Sequence, residues 1–263
     1  MKSLLAACAF LISSVANSQS ADEMIAARRL IPHVMQVRGD TLGSAVALSE
    51  HLAVTNCHVL GAARNVHVLR GGLSSIAKLK AMDNGHDLCL LEVEDSPSLP
   101  VKVGSTASLA VGDKVYAVGF GLGRMSIGMG RIEALYPYDG SLIVRTDAPF
   151  AAGASGGALF DSNHNLVGVL TFFRRGVQKS SYWAMPTDWV IALTHSDTTT
   201  MDRSQLPIWS QERAGSIRFL QVAGYEIDGD WLPMSESAKR WLAEDPQNSE
   251  AARALQFANS KLH

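Results

Sequence analysis

Cysteine is scarce in this chain, 3 residues in 263. A small scaffold held together by disulfides is thereby excluded, because such folds pack many cysteines into a short chain. Charge is thin as well. Asp, Glu, Lys and Arg make up 18% of the residues and the formal net charge is −2, which excludes a disordered polyelectrolyte and a charge-laced coiled coil. It also excludes a global basic excess for tracking a phosphate backbone, so nucleic acid is not an expected partner. No apolar run reaches the roughly 18 to 20 residues that a spanning helix needs, so no stable membrane insertion is expected. There is no C-x-x-C pair, no H-E-x-x-H, and no clustering of the 8 histidines at ligand spacing. Neither a metal nor another cofactor is expected. Plentiful instead are apolar residues, at 47%, and glycine, at 22 residues. The length is ample for one large or two small globular domains.

The first residues have the character of an export signal. Lys2 supplies a positive start, Leu4 to Ile12 a short apolar run, and Ala16-Asn17-Ser18 a small-x-small cleavage site. Residues 1–18 are predicted to be a signal peptide, so the mature chain is expected to be exported. Cys8 belongs to that segment, so the mature chain retains Cys57 and Cys89.

From about residue 33 to 173 short β-branched or aliphatic runs alternate with Gly, Asp, Asn and Pro. Val34–Val37, Ser44–Leu48, Leu52–Thr55, Leu88–Val93, Val115–Phe120 and Leu166–Phe172 are examples. This spacing predicts an all-β fold of sandwich or barrel type. A polar, Pro-containing break at Glu94–Pro100 divides the runs into two sub-domains of similar size. After Pro186 the pattern changes. Thr187 can cap a helix over Asp188–His195, and Ser196–Ser204 follows as a polar linker. Apolar positions at helical spacing then predict two amphipathic helices broken at Asp245-Pro246. This C-terminal helical extension is a candidate docking surface for a protein partner.

The most informative segment is Gly153-Ala154-Ser155-Gly156-Gly157. Flanking glycines permit a tight turn that leaves the serine hydroxyl unshielded. The amides of Gly153 and Ser155 can then point to one spot, as an oxyanion hole requires. A serine nucleophile needs a base and a group that orients the base. Thr55-Asn56-Cys57-His58-Val59-Leu60 places a histidine at the end of an apolar strand, and His86-Asp87-Leu88-Cys89-Leu90-Leu91 opens another strand with an aspartate. The order His, Asp, Ser is one in which this triad occurs. His86 competes with His58 as the base, but successive strand residues face opposite ways, which disfavours a neighbour of the aspartate.

These three segments resemble the trypsin-like (chymotrypsin-fold) serine peptidases, most closely the bacterial HtrA/Deg-type group, with its T-N-x-H-V, D-[IL]-x-L-[IL] and G-x-S-G-G-A-L signatures. Gly43-Ser44-Ala45-Val46 and Tyr182–Pro186 match further strands of that group, and the resemblance covers about residues 30–195. It implies two six-stranded antiparallel β-barrels, about 30–100 and 101–195, within a peptidase domain over 19–200, followed by the helical extension 201–263. It further implies His58, Asp87 and Ser155 as catalytic residues, with the Gly153 and Ser155 amides as oxyanion hole. Pro149, Phe150, Thr171, Phe172 and Phe173 fall at substrate-binding positions, and Thr171 matches the position whose hydroxyl supports the aspartate. Pro149 replaces the acidic residue that selects basic side chains, and Phe173 replaces a small one, so an apolar, narrow pocket for small or aliphatic residues is expected. Ala154 stands where zymogen-activated relatives carry Asp, which predicts no activation by a newly cut N-terminus. Assembling the triad should bring Cys57 and Cys89 together, as a disulfide or as two buried thiols. The implied activity is that of an exported serine endopeptidase acting on protein or peptide substrates. The alternative is a peptide-binding or chaperone-like protein on the same fold. No room for a PDZ domain is expected in the roughly 65 residues after the peptidase.

Overall fold

The computed structural model describes residues 23–63, 65–196, 205–210 and 217–263. The predicted signal peptide and nearly all of the predicted linker lie outside the described residues.

Twelve strands form two closed antiparallel barrels. The first contains β1 (Val34–Arg38), β2 (Leu42–Ala47), β3 (Leu52–Thr55), β4 (Asn65–Arg70), β5 (Leu73–Asp83) and β6 (Leu88–Val93), in the order β1-β2-β3-β6-β5-β4. The second contains β7 (Lys114–Gly121), β8 (Arg124–Tyr138), β9 (Ser141–Thr146), β10 (Ala158–Asp161), β11 (Leu166–Arg175) and β12 (Ser180–Pro186), in the order β10-β11-β12-β9-β8-β7. The strands of the first barrel end at Val93 and those of the second begin at Lys114.

Strand periodicity explains why so many runs are continuously apolar. Along β6, Leu91 points into the first barrel with Met35, Ala45 and Ala53, whereas Leu90 points outward with Val34, Val46 and Val54. The outward set packs against Tyr116, Val118, Phe160 and Met185 of the second barrel. Both faces of these strands are buried, so neither can be polar. At about 1.5–3 kcal/mol for each large apolar side chain removed from water, this second layer fixes how the two barrels meet.

Two long strands carry weak sequence signals. In β5, Ala77 and Leu79 are buried while Lys78 and Lys80 are exposed, an alternation with polar residues on the outer face. In β8, glycines and Pro137 interrupt the apolar pattern over 15 residues.

A one-turn helix, α1 (Cys57–Leu60), follows β3, and α2 (Thr187–Thr194) follows β12. Thr187 is inside α2 rather than its cap: Pro186 holds the cap position, and the Thr187 hydroxyl donates to the Gly104 carbonyl at 2.9 Å. Three further helices close the chain, α3 (Arg218–Asp228), α4 (Trp231–Glu244) and α5 (Ser249–Leu262). The last two are the predicted pair. The Asn248 side chain accepts the Ala251 N–H at 2.9 Å and so caps α5.

Helix α3 joins the extension to the second barrel. Phe219 stacks on Tyr136, with ring centroids 4.9 Å apart, and Glu226 meets Arg145 at 3.0 Å. Burial would lower the Arg145 guanidinium and raise the Glu226 carboxyl. Their pairing reverses both, so Arg145 is held above and Glu226 below its ordinary value.

Candidate active site

The site forms where the ends of β3 and β6 face the loop before β10. Asn56 leaves β3 in an extended conformation, and the turn of α1 then presents His58. Cys57, just before it, is bonded to Cys89 on β6, with Cα atoms 5.1 Å apart. Of the two states open from the sequence, the structure therefore has the disulfide. It ties the residue beside His58 to the strand that begins after Asp87.

Asp87 lies before β6 in a left-handed turn, φ 59°, a conformation Asp tolerates better than most residues. Its main chain fastens the turn: the carbonyl accepts the Asn56 Nδ2 amide at 2.8 Å and the Cys57 N–H at 3.3 Å. Its carboxylate is fully buried. Oδ1 accepts the His58 N–H at 2.9 Å, and Oδ2 lies 2.6 Å from His58 Nδ1. With Nδ1 committed to Asp87, the other ring nitrogen, Nε2, has no protein partner among the described residues. A carboxylate on Nδ1 fixes the tautomer that leaves Nε2 free to accept a proton.

His86 is engaged elsewhere, and strand alternation is not the reason. Residues 84–87 form a turn rather than a strand. His86 Nδ1 lies 2.6 Å from Asp83 and Nε2 3.2 Å from Asp139, and the ring stacks on Trp189 at 3.7 Å. Both nitrogens are occupied.

From the second barrel comes the serine turn. Gly153 has φ 95°, and a Cβ there would lie 2.7 Å from the Phe120 carbonyl oxygen. Gly156 has φ 83°, and its Cβ would lie 2.1 Å from the Ser44 carbonyl oxygen and 2.4 Å from Thr55 Oγ1. Only glycine satisfies both the backbone angle and the space. The first barrel grips this turn through β2. The Ser44 N–H donates to the Ser155 carbonyl at 2.8 Å, and the Ser44 hydroxyl donates to the Gly153 carbonyl at 2.9 Å.

Within the turn the N–H groups of Ala154, Gly156 and Gly157 are bonded to protein carbonyls. Those of Gly153 and Ser155 meet no protein acceptor among the described residues. The Ser155 hydroxyl donates to the Thr171 carbonyl at 3.0 Å, not to His58. Thr171 is also linked to the first barrel, because Asn56 Nδ2 donates to its hydroxyl at 3.1 Å. One short chain of bonds thus runs from the residue two before His58 to the hydroxyl of Ser155.

Thr171 does not support the aspartate. Its hydroxyl donates to the Val169 carbonyl at 2.9 Å. The remaining bond to Asp87 comes instead from Trp209, whose indole N–H reaches Oδ2 at 3.0 Å. Sequence reasoning passes over Trp209. The signal was a lone large aromatic beside the linker, with no motif around it.

At the other predicted positions, Phe150 and Phe172 are buried, whereas Pro149 is exposed. Phe173 is half-buried and meets Phe150 edge-on at 6.0 Å and Tyr182 at 6.1 Å. Phe172 instead stacks between Trp183 and Trp209, each with its ring centroid 5.4 Å away. A cavity of about 450 Å³ lies beside His86, lined by Asp83, Asp139 and Trp189 among others, and does not include Ser155. Among the described residues no group of His, Cys, Asp and Glu is arranged to hold a metal ion, and no helix is long and apolar enough to cross a membrane.

Residues 43–169 match the trypsin-like peptidase domain. Over 141 residues the chain is 34% identical to the periplasmic pH-dependent serine endoprotease DegQ of Escherichia coli, covering 49% of this chain and 31% of that protein. It is 29% identical over 231 residues to the periplasmic serine endoprotease DegP of the same organism, covering 81% of this chain and 46% of DegP. The chain thus matches less than half the length of these relatives. Among solved structures, the HtrA-type protease AlgW with a tripeptide superposes with a TM-score of 0.57 and 29% identity, over 63% of this chain and 60% of that one. A serine endoprotease from Yersinia pestis gives 0.56 and 28%, over 64% of each.

Proposed function

The chain carries a trypsin-like peptidase domain related to the HtrA-type proteases, and from this premise we propose that it is an exported bacterial serine endopeptidase. Ser155 attacks the carbonyl carbon of a peptide bond. His58 Nε2 takes the serine proton and returns it to the leaving amine, and Asp87 holds the imidazole in the required tautomer and stabilises its charged form. The amides of Gly153 and Ser155 receive the negative oxygen of the tetrahedral intermediate, where losing one donor costs about 3–4 kcal/mol of transition-state stabilisation.

The observation that carries this reading is the His58 ring. One nitrogen is tied to a fully buried carboxylate at 2.6 Å, the other is uncommitted, and the serine turn is bonded to the strand beside it. Catalysis requires the Ser155 hydroxyl to leave the Thr171 carbonyl and donate to His58. Such hydrogen bonds commonly form only when substrate is bound. The aromatic wall of Phe150, Phe172 and Phe173 favours small or aliphatic side chains before the cleaved bond. A peptide-library profile dominated by Arg or Lys contradicts that preference.

A fluorophosphonate, which phosphonylates an activated serine, tests the proposal. Wild-type protein should be labelled and Ser155→Ala should not. If wild-type protein binds unfolded peptides but resists labelling, the peptide-binding alternative replaces this one.

A further inference from the structure

A buried carboxylate that carries charge needs donors on both oxygens. On Asp87 these are the His58 N–H on Oδ1, and His58 Nδ1 and Trp209 Nε1 on Oδ2. Trp209 is the only one of these residues outside the two barrels. We propose that Trp209 is a positioning residue for the His58–Asp87 pair, so that a segment beyond the peptidase barrels completes the catalytic apparatus. This rests on the functional reading above.

Three features support it. First, the indole is placed to restrain both partners. Its N–H fixes one lone pair of Oδ2, and its ring meets the His58 ring edge-on, with centroids 5.3 Å apart at 77°. Second, the ring lies nearly parallel to Phe172 of β11, with centroids 5.4 Å apart at 21°. Trp209 therefore spans from the base, on the first barrel, to the wall strand of the second. Third, the turn that carries it is fastened to the loop that presents Asp87. The Ile208 N–H donates to the Gly85 carbonyl at 3.0 Å, Asn84 Nδ2 donates to the Gln205 carbonyl, and the Ile208 side chain is buried in the core shared by the barrels. A residue fixed at the backbone on one side and stacked on the other has few alternative rotamers, as a positioning group requires.

An indole over the pair could also act as a cover that substrate must displace. The two roles differ in sign. If Trp209 positions the pair, its removal slows reaction at Ser155. If it covers the site, removal accelerates it.

The test compares fluorophosphonate labelling rates and peptide hydrolysis in wild type, Trp209→Phe and Trp209→Ala, using the full chain. Trp209→Phe keeps an aromatic ring and deletes the donor. It should slow labelling and lower kcat by roughly 10-fold, the scale of one hydrogen bond to a charged group, with KM within about twofold. Trp209→Ala also removes the wall against Phe172 and should lower kcat further while raising KM. The far-downfield proton NMR signal of His58 Nδ1–H reads the pair directly. It should broaden or vanish in Trp209→Phe, which a purely structural role with an unchanged melting temperature would not cause. Asn84→Ala cuts a fastening of the turn without touching the indole and should give a smaller loss in the same direction. Wild-type rate and NMR signal in Trp209→Phe, or faster labelling of Trp209→Ala, overturns the proposal. Absence of Ser155-dependent labelling in wild type is a failure of the functional reading instead, and the NMR comparison then still decides whether Trp209 positions the pair.

Discussion

Two histidine–aspartate pairs flank the same loop of this molecule, His58 with Asp87 and His86 with Asp83, and both close at 2.6 Å between Nδ1 and Oδ2. Each also has a tryptophan. What separates them is the use of the second ring nitrogen. In His86 it faces Asp139 at 3.2 Å, and Trp189 lies flat on the ring at 3.7 Å. In His58 it has no partner among the described residues, and Trp209 approaches edge-on while its N–H serves the aspartate. The same pair of side chains therefore makes a structural clamp in one place and a candidate base in the other. The lesson is that a close His–Asp contact identifies a base only when the far nitrogen is left uncommitted.

Removing each carboxylate should break the pairs unequally. Asp87→Asn keeps the shape but reverses the hydrogen-bond logic at Nδ1, and should lower kcat for peptide hydrolysis by roughly 10⁴-fold. Asp83→Asn should leave kcat within about threefold. Equal losses in steady-state assays would mean that the two pairs are not functionally distinct.

The disulfide sharpens the comparison next. Cys57 and Cys89 stand 32 residues apart in sequence, and the main chain of Cys57 is bonded to that of Asp87. Replacing both with serine should lower unfolding stability by about 3–4 kcal/mol, the loop-entropy scale for that separation. Denaturant melts check this, and a change below about 1 kcal/mol contradicts it.

The smallest expected effect belongs to the structural pair. Burial would raise the Asp83 carboxyl, but the His86 side chain and N–H, with the Gly85 N–H, hold it below its ordinary 3.8. A carboxylate lowered in the folded state adds stability that is fully present above its unfolded value and is lost as pH falls through its folded value. Asp83→Asn should therefore be less stable than wild type at neutral pH, and the difference should close as pH falls below about 4. Thermal melts across that range test the sign.

The parts that sequence makes legible are those where one residue type is compulsory. Gly153 and Gly156 can be nothing else, so the serine turn is visible at once. The continuous apolar runs of β3, β6 and β11 are visible because both faces are buried. Legibility fails where the constraint comes from distant chain. In β5 the outer face mixes exposed Ser74, Lys78 and Lys80 with exposed Leu73 and Ile76, and β8 is broken by glycine, so neither stands out as a strand. Thr171 is buried, yet its hydroxyl donates to the Val169 carbonyl and not to Asp87. Trp209 is 122 residues from Asp87 in sequence, and no local pattern announces a contact at that range.

The central claim is that Ser155 is activated by His58 and not by His86. Fluorophosphonate labelling of wild type, His58→Ala and His86→Gln, with the adduct located by peptide mass spectrometry, tests it most directly. The account predicts one adduct, on Ser155, at similar rates in wild type and His86→Gln, and none above background in His58→Ala. An adduct on another residue, or His58→Ala reacting as fast as wild type, would contradict it.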